Sequence, residues 1–125
     1  MGGTIFGDIS SVVPYTYVGD TNYNVTNNDS FILVSSDMST TRRIYLPSPM
    51  STPLGKIIYI KNISPNPCII TTKDGYDITP TDDRNPVSEI LLENKKGNRD
   101  YIPRMFICTG MQGWIEFKCG YNIQK

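Results

Sequence analysis

The pattern of apolar and polar positions changes near residue 20. In residues 1–14 Ile5, Phe6, Ile9, Val12 and Val13 are scattered among Gly and Ser without strict alternation. Pro14 and the run Tyr15-Thr16-Tyr17-Val18 then close the segment. Such a pattern predicts an N-terminal arm over 1–20 that packs on its own domain or on a neighbouring subunit.

From residue 21 to 125 short β-runs alternate with turn clusters. Phe31–Val34 is continuously apolar, as in a strand covered on both sides, whereas Arg42–Leu46 places Ile44 and Leu46 on one face. Pro47, Pro49 and Pro53 enforce a loop. The strongest run, 55–63 (GKIIYIKNI), separates Ile58 and Ile60 from Ile57, Tyr59 and Ile63, which predicts a central strand with one face in the core. The turn SPNP and the run CIITT predict a hairpin partner for it. Asp74-Gly75 marks a turn, and Thr79–Pro86 reads as an exposed loop. Ser88–Glu93 offers Ile90 and Leu92 to one side, with a short helix as the other option. A closing hairpin joins 102–109 to 114–119, with Ile115, Phe117 and Cys119 facing the core and Trp114 and Glu116 facing out.

Composition agrees with this reading. Residues that favour strands (Ile, Val, Thr, Tyr, Phe, Trp) number 47 of 125, good helix formers 15 and turn formers 48. The expected class is all-β: a single-domain, compact antiparallel β-sandwich, jelly-roll-like, or a small barrel. No internal repeat is evident, which argues against a solenoid or propeller.

Chemistry is restricted by what the chain lacks. Without His there is no Ser/His or Cys/His nucleophile pair and no imidazole ligand. Phosphate-loop, dinucleotide and nucleophile-elbow motifs are also missing, so no cofactor is expected and the chain reads as a non-enzyme. Twelve basic and twelve acidic side chains cancel, and the doublets Arg42-Arg43 and Lys95-Lys96 read as solvated positions, so nucleic acid is not an expected partner. No apolar stretch approaches the ~20 residues of a membrane span, and no leader-like pattern opens the sequence. The sequons at Asn24, Asn28 and Asn62 are therefore read as chance.

Three dispersed cysteines, Cys68, Cys108 and Cys119, have no metal or redox spacing and read as small apolar groups formed under reducing conditions. Asp74, Asp77, Asp82 and Asp83 cluster without calcium-loop spacing and read as turn residues. Glu89, Glu93 and Glu116 are the carboxylates left for a small hydrolase, a reading ranked last. Eight Tyr and one Trp support a second reading, a carbohydrate-binding module, with Trp114 as the candidate receptor or glycan contact.

A set of anchors runs through the chain: Tyr23, Val25 and Asp29 before Phe31-Ile32-Leu33-Val34, then Ile44-Tyr45-Leu46-Pro47-Ser48. Gly55-Lys56 with Ile58-Tyr59-Ile60-Lys61-Asn62 follows, then Ile69-Ile70, Asp77-Ile78, Ile90 with Leu92, and Gly113-Trp114. Over about three quarters of the chain this resembles a β-domain of phage tail-fibre proteins and of surface proteins of large DNA viruses. The resemblance implies a non-enzymatic virion component, trimeric, assembled in the host cytoplasm and displayed on a fibre or capsid surface. Its partners would be its own copies, other virion proteins and a host-surface glycan or receptor. A long fibre's collagen-like or coiled-coil shaft is absent from the sequence. Candidate subunit contacts are Ile5, Phe6, Ile9, Val12 and Val13 of the arm, with Ile57 and Tyr59 of the central strand.

Overall fold

The structure is a computed structural model that describes residues 15–80, 85–94 and 103–118. Ten strands form in chain order: β1 Tyr15–Val18, β2 Tyr23–Asn24, β3 Phe31–Val34, β4 Arg42–Leu46, β5 Ile57–Asn62, β6 Cys68–Thr72, β7 Ile78–Pro80, β8 Glu89–Leu92, β9 Arg104–Cys108 and β10 Trp114–Lys118. Two short 3-10 turns, Pro49–Ser51 and Gly110–Gln112, are the other elements among the described residues. The all-β expectation holds, and 89–92 is a strand, so the helical option for that segment is not taken.

Strands sort into two mixed sheets. Sheet A has the order β1-β3-β5-β9-β10-β7 and sheet B the order β2-β4-β6-β8. Through β8 the odd strands enter one sheet and the even strands the other, so the chain winds between layers. Winding of this kind makes sequential neighbours in one sheet parallel, and five of the eight described pairings are parallel. The expected antiparallel arrangement is thereby corrected, and so is the hairpin between β5 and β6, which lie in different sheets. The turn at 64–67 carries the chain across the core instead of folding it back.

This winding escaped the search for repeats because its coils differ in length. Phe31 follows its ladder partner Tyr15 by 16 residues, and Tyr59 follows Phe31 by 28. In sheet B the corresponding offsets are 21, from Tyr23 to Ile44, and 26, from Arg42 to Cys68. Antiparallel β8 pairs with β6 in sheet B, and the β9–β10 hairpin pairs with β5 in sheet A, with Trp114 opposite Cys108 as the closing-hairpin expectation required.

One apolar cluster draws on both sheets. Ile32, Val34, Ile58, Ile60, Phe106 and Trp114 come from sheet A, and Ile44, Leu46, Ile70, Ile90 and Leu92 from sheet B. Asn62 bridges the layers: it ends β5, and its Nδ2 donates to the carbonyls of Leu92 and Asn66 at 2.9 Å. Burying that amide is tolerated because its oxygen also accepts from the Ser64 N–H.

Two anchors have strictly structural roles. Gly113 sits at φ +90°, and a Cβ there would lie 2.2 Å from the Asp77 carbonyl oxygen. Only glycine lets β7 approach the start of β10, where the Trp114 N–H donates to that oxygen at 3.1 Å. Asp29 accepts from the Thr16 and Tyr23 hydroxyls and from the Thr26 N–H and hydroxyl, tying β1 and β2 to the loop before β3.

Candidate assembly surface

Strand alternation gives each sheet an inner and an outer face, and the two outer faces differ in chemistry. On sheet A the ladder registers align Tyr15, Phe31, Tyr59, Met105 and Phe117 in one row across five strands. Beside it run Ile57, Ile107, Ile115 and Thr79. On the other side lie Tyr17, Leu33 and Lys61. Five inter-strand spacings make this face about 24 Å wide. Phe31 and Tyr59 stack at 6.2 Å between ring centroids, Ile57 is 36% exposed, and Tyr15 and Tyr17 are 62% and 56% exposed. Lys61 is the one charged side chain in these rows, and partial burial lowers its pKa; its Nζ donates to Asn94 Oδ1 at 3.5 Å.

Sheet B presents a mixed exterior, in which Ile69, Leu91 and Tyr45 stand beside charged and polar groups. Arg43 forms an ion pair with Glu89 across the sheet, which raises the guanidinium pKa, and Thr71 and Asn24 share that side. Lys73 Nζ stands 5.4 Å over the Tyr45 ring, so the aromatic face beside the hollow of about 290 Å3 near Asn24 and Asp74 is already covered.

Two of the expected contact residues, Ile57 and Tyr59, therefore stand together on the apolar face of sheet A, in the central strand as expected. Ile5, Phe6, Ile9, Val12 and Val13 lie outside the described residues. Tyr15–Val18, grouped with the arm on pattern, is an integral edge strand of sheet A. Sequence reasoning missed Phe31, Leu33, Met105, Ile107, Ile115 and Phe117. The signal was present as strands with large apolar residues at both parities.

Trp114 corrects the expected receptor or glycan contact. Its ring is fully buried, and its Nε1–H donates to the Pro47 carbonyl at 3.1 Å, so it offers no platform to a ligand. The inner face of β10 carries Trp114 and Glu116, and the outer face carries Ile115 and Phe117, opposite to the expected polarity. Glu116 is accommodated in the core by Arg104, whose Nη1 lies 3.0 Å from its carboxylate, with the two side chains 1% and 6% exposed.

The carboxylates considered for hydrolysis are not brought together. Glu89 is on sheet B paired with Arg43, while Glu116 is inside sheet A paired with Arg104. Among the described residues no three His, Cys, Asp or Glu side chains gather in metal-binding geometry; Asp82 and Asp83 lie outside them. Cys68 and Cys108 are free and buried, and burial pushes the Cys68 thiol up to about 12; Cys119 lies outside the described residues. A cleft of about 470 Å3 opens between the two 3-10 turns, where Met50, Leu54 and Met111 are exposed.

Set against protein families, curated proteins and solved structures, the chain shows no match.

Proposed function

We propose that the protein is a non-enzymatic structural module of a virus particle, a fibre head or capsid-surface unit, that assembles as a homotrimer through the outer face of sheet A. The observation that carries this reading is the contrast between the two exteriors. Sheet B sets the Arg43–Glu89 ion pair and Asn24 among Tyr45, Ile69 and Leu91, whereas sheet A turns aromatic and aliphatic rows outward around a single lysine. A contiguous apolar face of this breadth marks a protein contact. In this reading the two layers stack as a sandwich, with sheet B solvated and sheet A against its copies.

The virion setting is supported by the viral resemblance, whose anchors meet in space as bonded pairs. Tyr23 donates to Asp29 at 2.8 Å, and Trp114 donates to Pro47. Those anchors serve the frame, which suits a scaffold whose task is presentation. Closed symmetry would then multiply weak surface sites into avidity for a host receptor.

The test is the mass of the full chain by light scattering at micromolar concentration. A particle of three chains is expected, and Ile57→Asp, which places a charge in the apolar row that continues through Ile107 and Ile115, should yield a folded monomer. A monomeric wild-type chain would sink the proposal.

A further inference from the structure

We infer that the β1 edge of sheet A is a pairing edge that takes the β1 strand of a second copy, antiparallel, extending the sheet across a two-fold axis. This goes beyond the face-mediated trimer: it uses the backbone edge of sheet A and only the Tyr15 and Tyr17 rings at the rim of its outer face.

The four sheet edges are unequal. β2 is two residues long, which leaves little rail to pair with. β7 ends in Pro80, which has no N–H to offer. β8 carries Glu89, and that charge opposes a second strand. β1 has none of these devices: Tyr-Thr-Tyr-Val is uncharged, free of Pro and built of strand-favouring residues. Among the described residues it is paired on one side only, with β3.

Backbone direction fixes what that edge presents. The Val18 carbonyl accepts from the Ser35 N–H at 2.8 Å, so Val18, and by alternation Thr16, point their backbone groups at β3. Tyr15 and Tyr17 then point theirs away, toward the open side. An antiparallel strand is held by residues whose N–H and C=O both face it. In a two-fold arrangement Tyr15 meets Tyr17 of the second copy, Tyr17 meets its Tyr15, and the two Thr16 residues lie opposite each other on the axis. Four backbone hydrogen bonds form, and both tyrosine pairs fall on the outer face, where the rings stand 62% and 56% exposed. The uncharged strand meets its copy without like-charge repulsion. The inner side needs no cover, because Val18 is already buried and the Thr16 hydroxyl is committed to Asp29.

The experiment follows amide hydrogen exchange at Tyr15 and Tyr17, together with sedimentation, on the full chain from about 10 µM to about 1 mM, a range suited to a small contact. Exchange at both amides should slow at least tenfold as concentration rises, while Thr16 and Val18 stay protected throughout. Tyr17→Pro, which removes a donor on the open side and leaves the β3 ladder intact, should abolish the concentration dependence. Tyr15→Lys should weaken it about tenfold, with a salt-sensitive remainder. Ile57→Asp should dissolve the trimer and leave edge pairing in place, so the two associations fail separately. Protection of both amides at the lowest concentration would overturn the inference, since the chain's own residues would then hold the edge. Exchange that stays fast up to 1 mM would overturn it as well.

Discussion

Removing one member of the Arg104–Glu116 pair should be among the most damaging single changes in this protein. The two side chains are diagonal neighbours on β9 and β10, since Arg104 faces Lys118 and Glu116 faces Phe106 in the ladder. They meet at 3.0 Å with 6% and 1% exposure, inside the cluster formed by Phe106 and Trp114. Glu116→Leu leaves a guanidinium in that environment without its carboxylate, and breaking a buried pair costs about 3–5 kcal/mol. For a domain whose whole stability is about 5–15 kcal/mol, that lowers the melting temperature by roughly 11–19 °C. Arg104→Met should cost a similar amount by taking away the cation 3.0 Å from the buried carboxylate. The double variant removes both charges and keeps the volume apolar, so its loss should fall below about 1 kcal/mol, or stability should rise. Urea unfolding of the four proteins closes a double-mutant cycle with a coupling of several kcal/mol. Single variants that each lose less than about 1 kcal/mol, or losses that simply add in the double variant, would refute the reasoning.

Gly113→Ala should lose more than about 2 kcal/mol in thermal melts, because positive φ and a 2.2 Å approach to the Asp77 carbonyl act together. Gly75→Ala is the control: its φ is +78° with open space around it, and it should lose only about 1 kcal/mol. Burial pushes the Asp29 carboxyl up, but hydrogen bonds from Thr16, Thr26 and Tyr23 outweigh burial and hold its pKa below the ordinary value. A carboxylate so depressed stabilises the fold above its unfolded pKa, and the contribution fades as pH falls through the carboxylate range toward the folded value. Denaturant midpoints should therefore drop between about pH 5 and pH 3, and Asp29→Asn should flatten that limb while lowering stability at neutral pH. Cys68, with its thiol pushed up to about 12 and no exposed surface, should resist thiol reagents at pH 8 until the protein unfolds; rapid native-state labelling of Cys68 would show that β6 opens.

The strand content was legible because β-branched and aromatic residues outnumber helix formers about three to one, and no tertiary contact reverses so strong a local bias. Alternation also located Ile44 and Leu46, Ile58 and Ile60, and Ile90 and Leu92 as core pairs, each two residues apart on one face of its strand. For the assembly surface, Ile57 and Tyr59 stood out because the central strand has two apolar sides and a single core can absorb only one.

Pairing and polarity were decided only in three dimensions. Local pattern says that a run is extended, but not which strand lies beside it. Parallel winding joins residues 16 to 28 apart with unequal loops, so no period appears in the chain. On β10 both parities hold large apolar groups, and a period of two has no sign of its own. A glutamate on one side argued for exposure. Arg104, on the neighbouring strand, supplies the opposite charge that lets Glu116 go inward with Trp114 and turns Ile115 and Phe117 outward. That choice makes the exterior of sheet A apolar, and a charge partner twelve residues away is information that only the folded chain brings to the site.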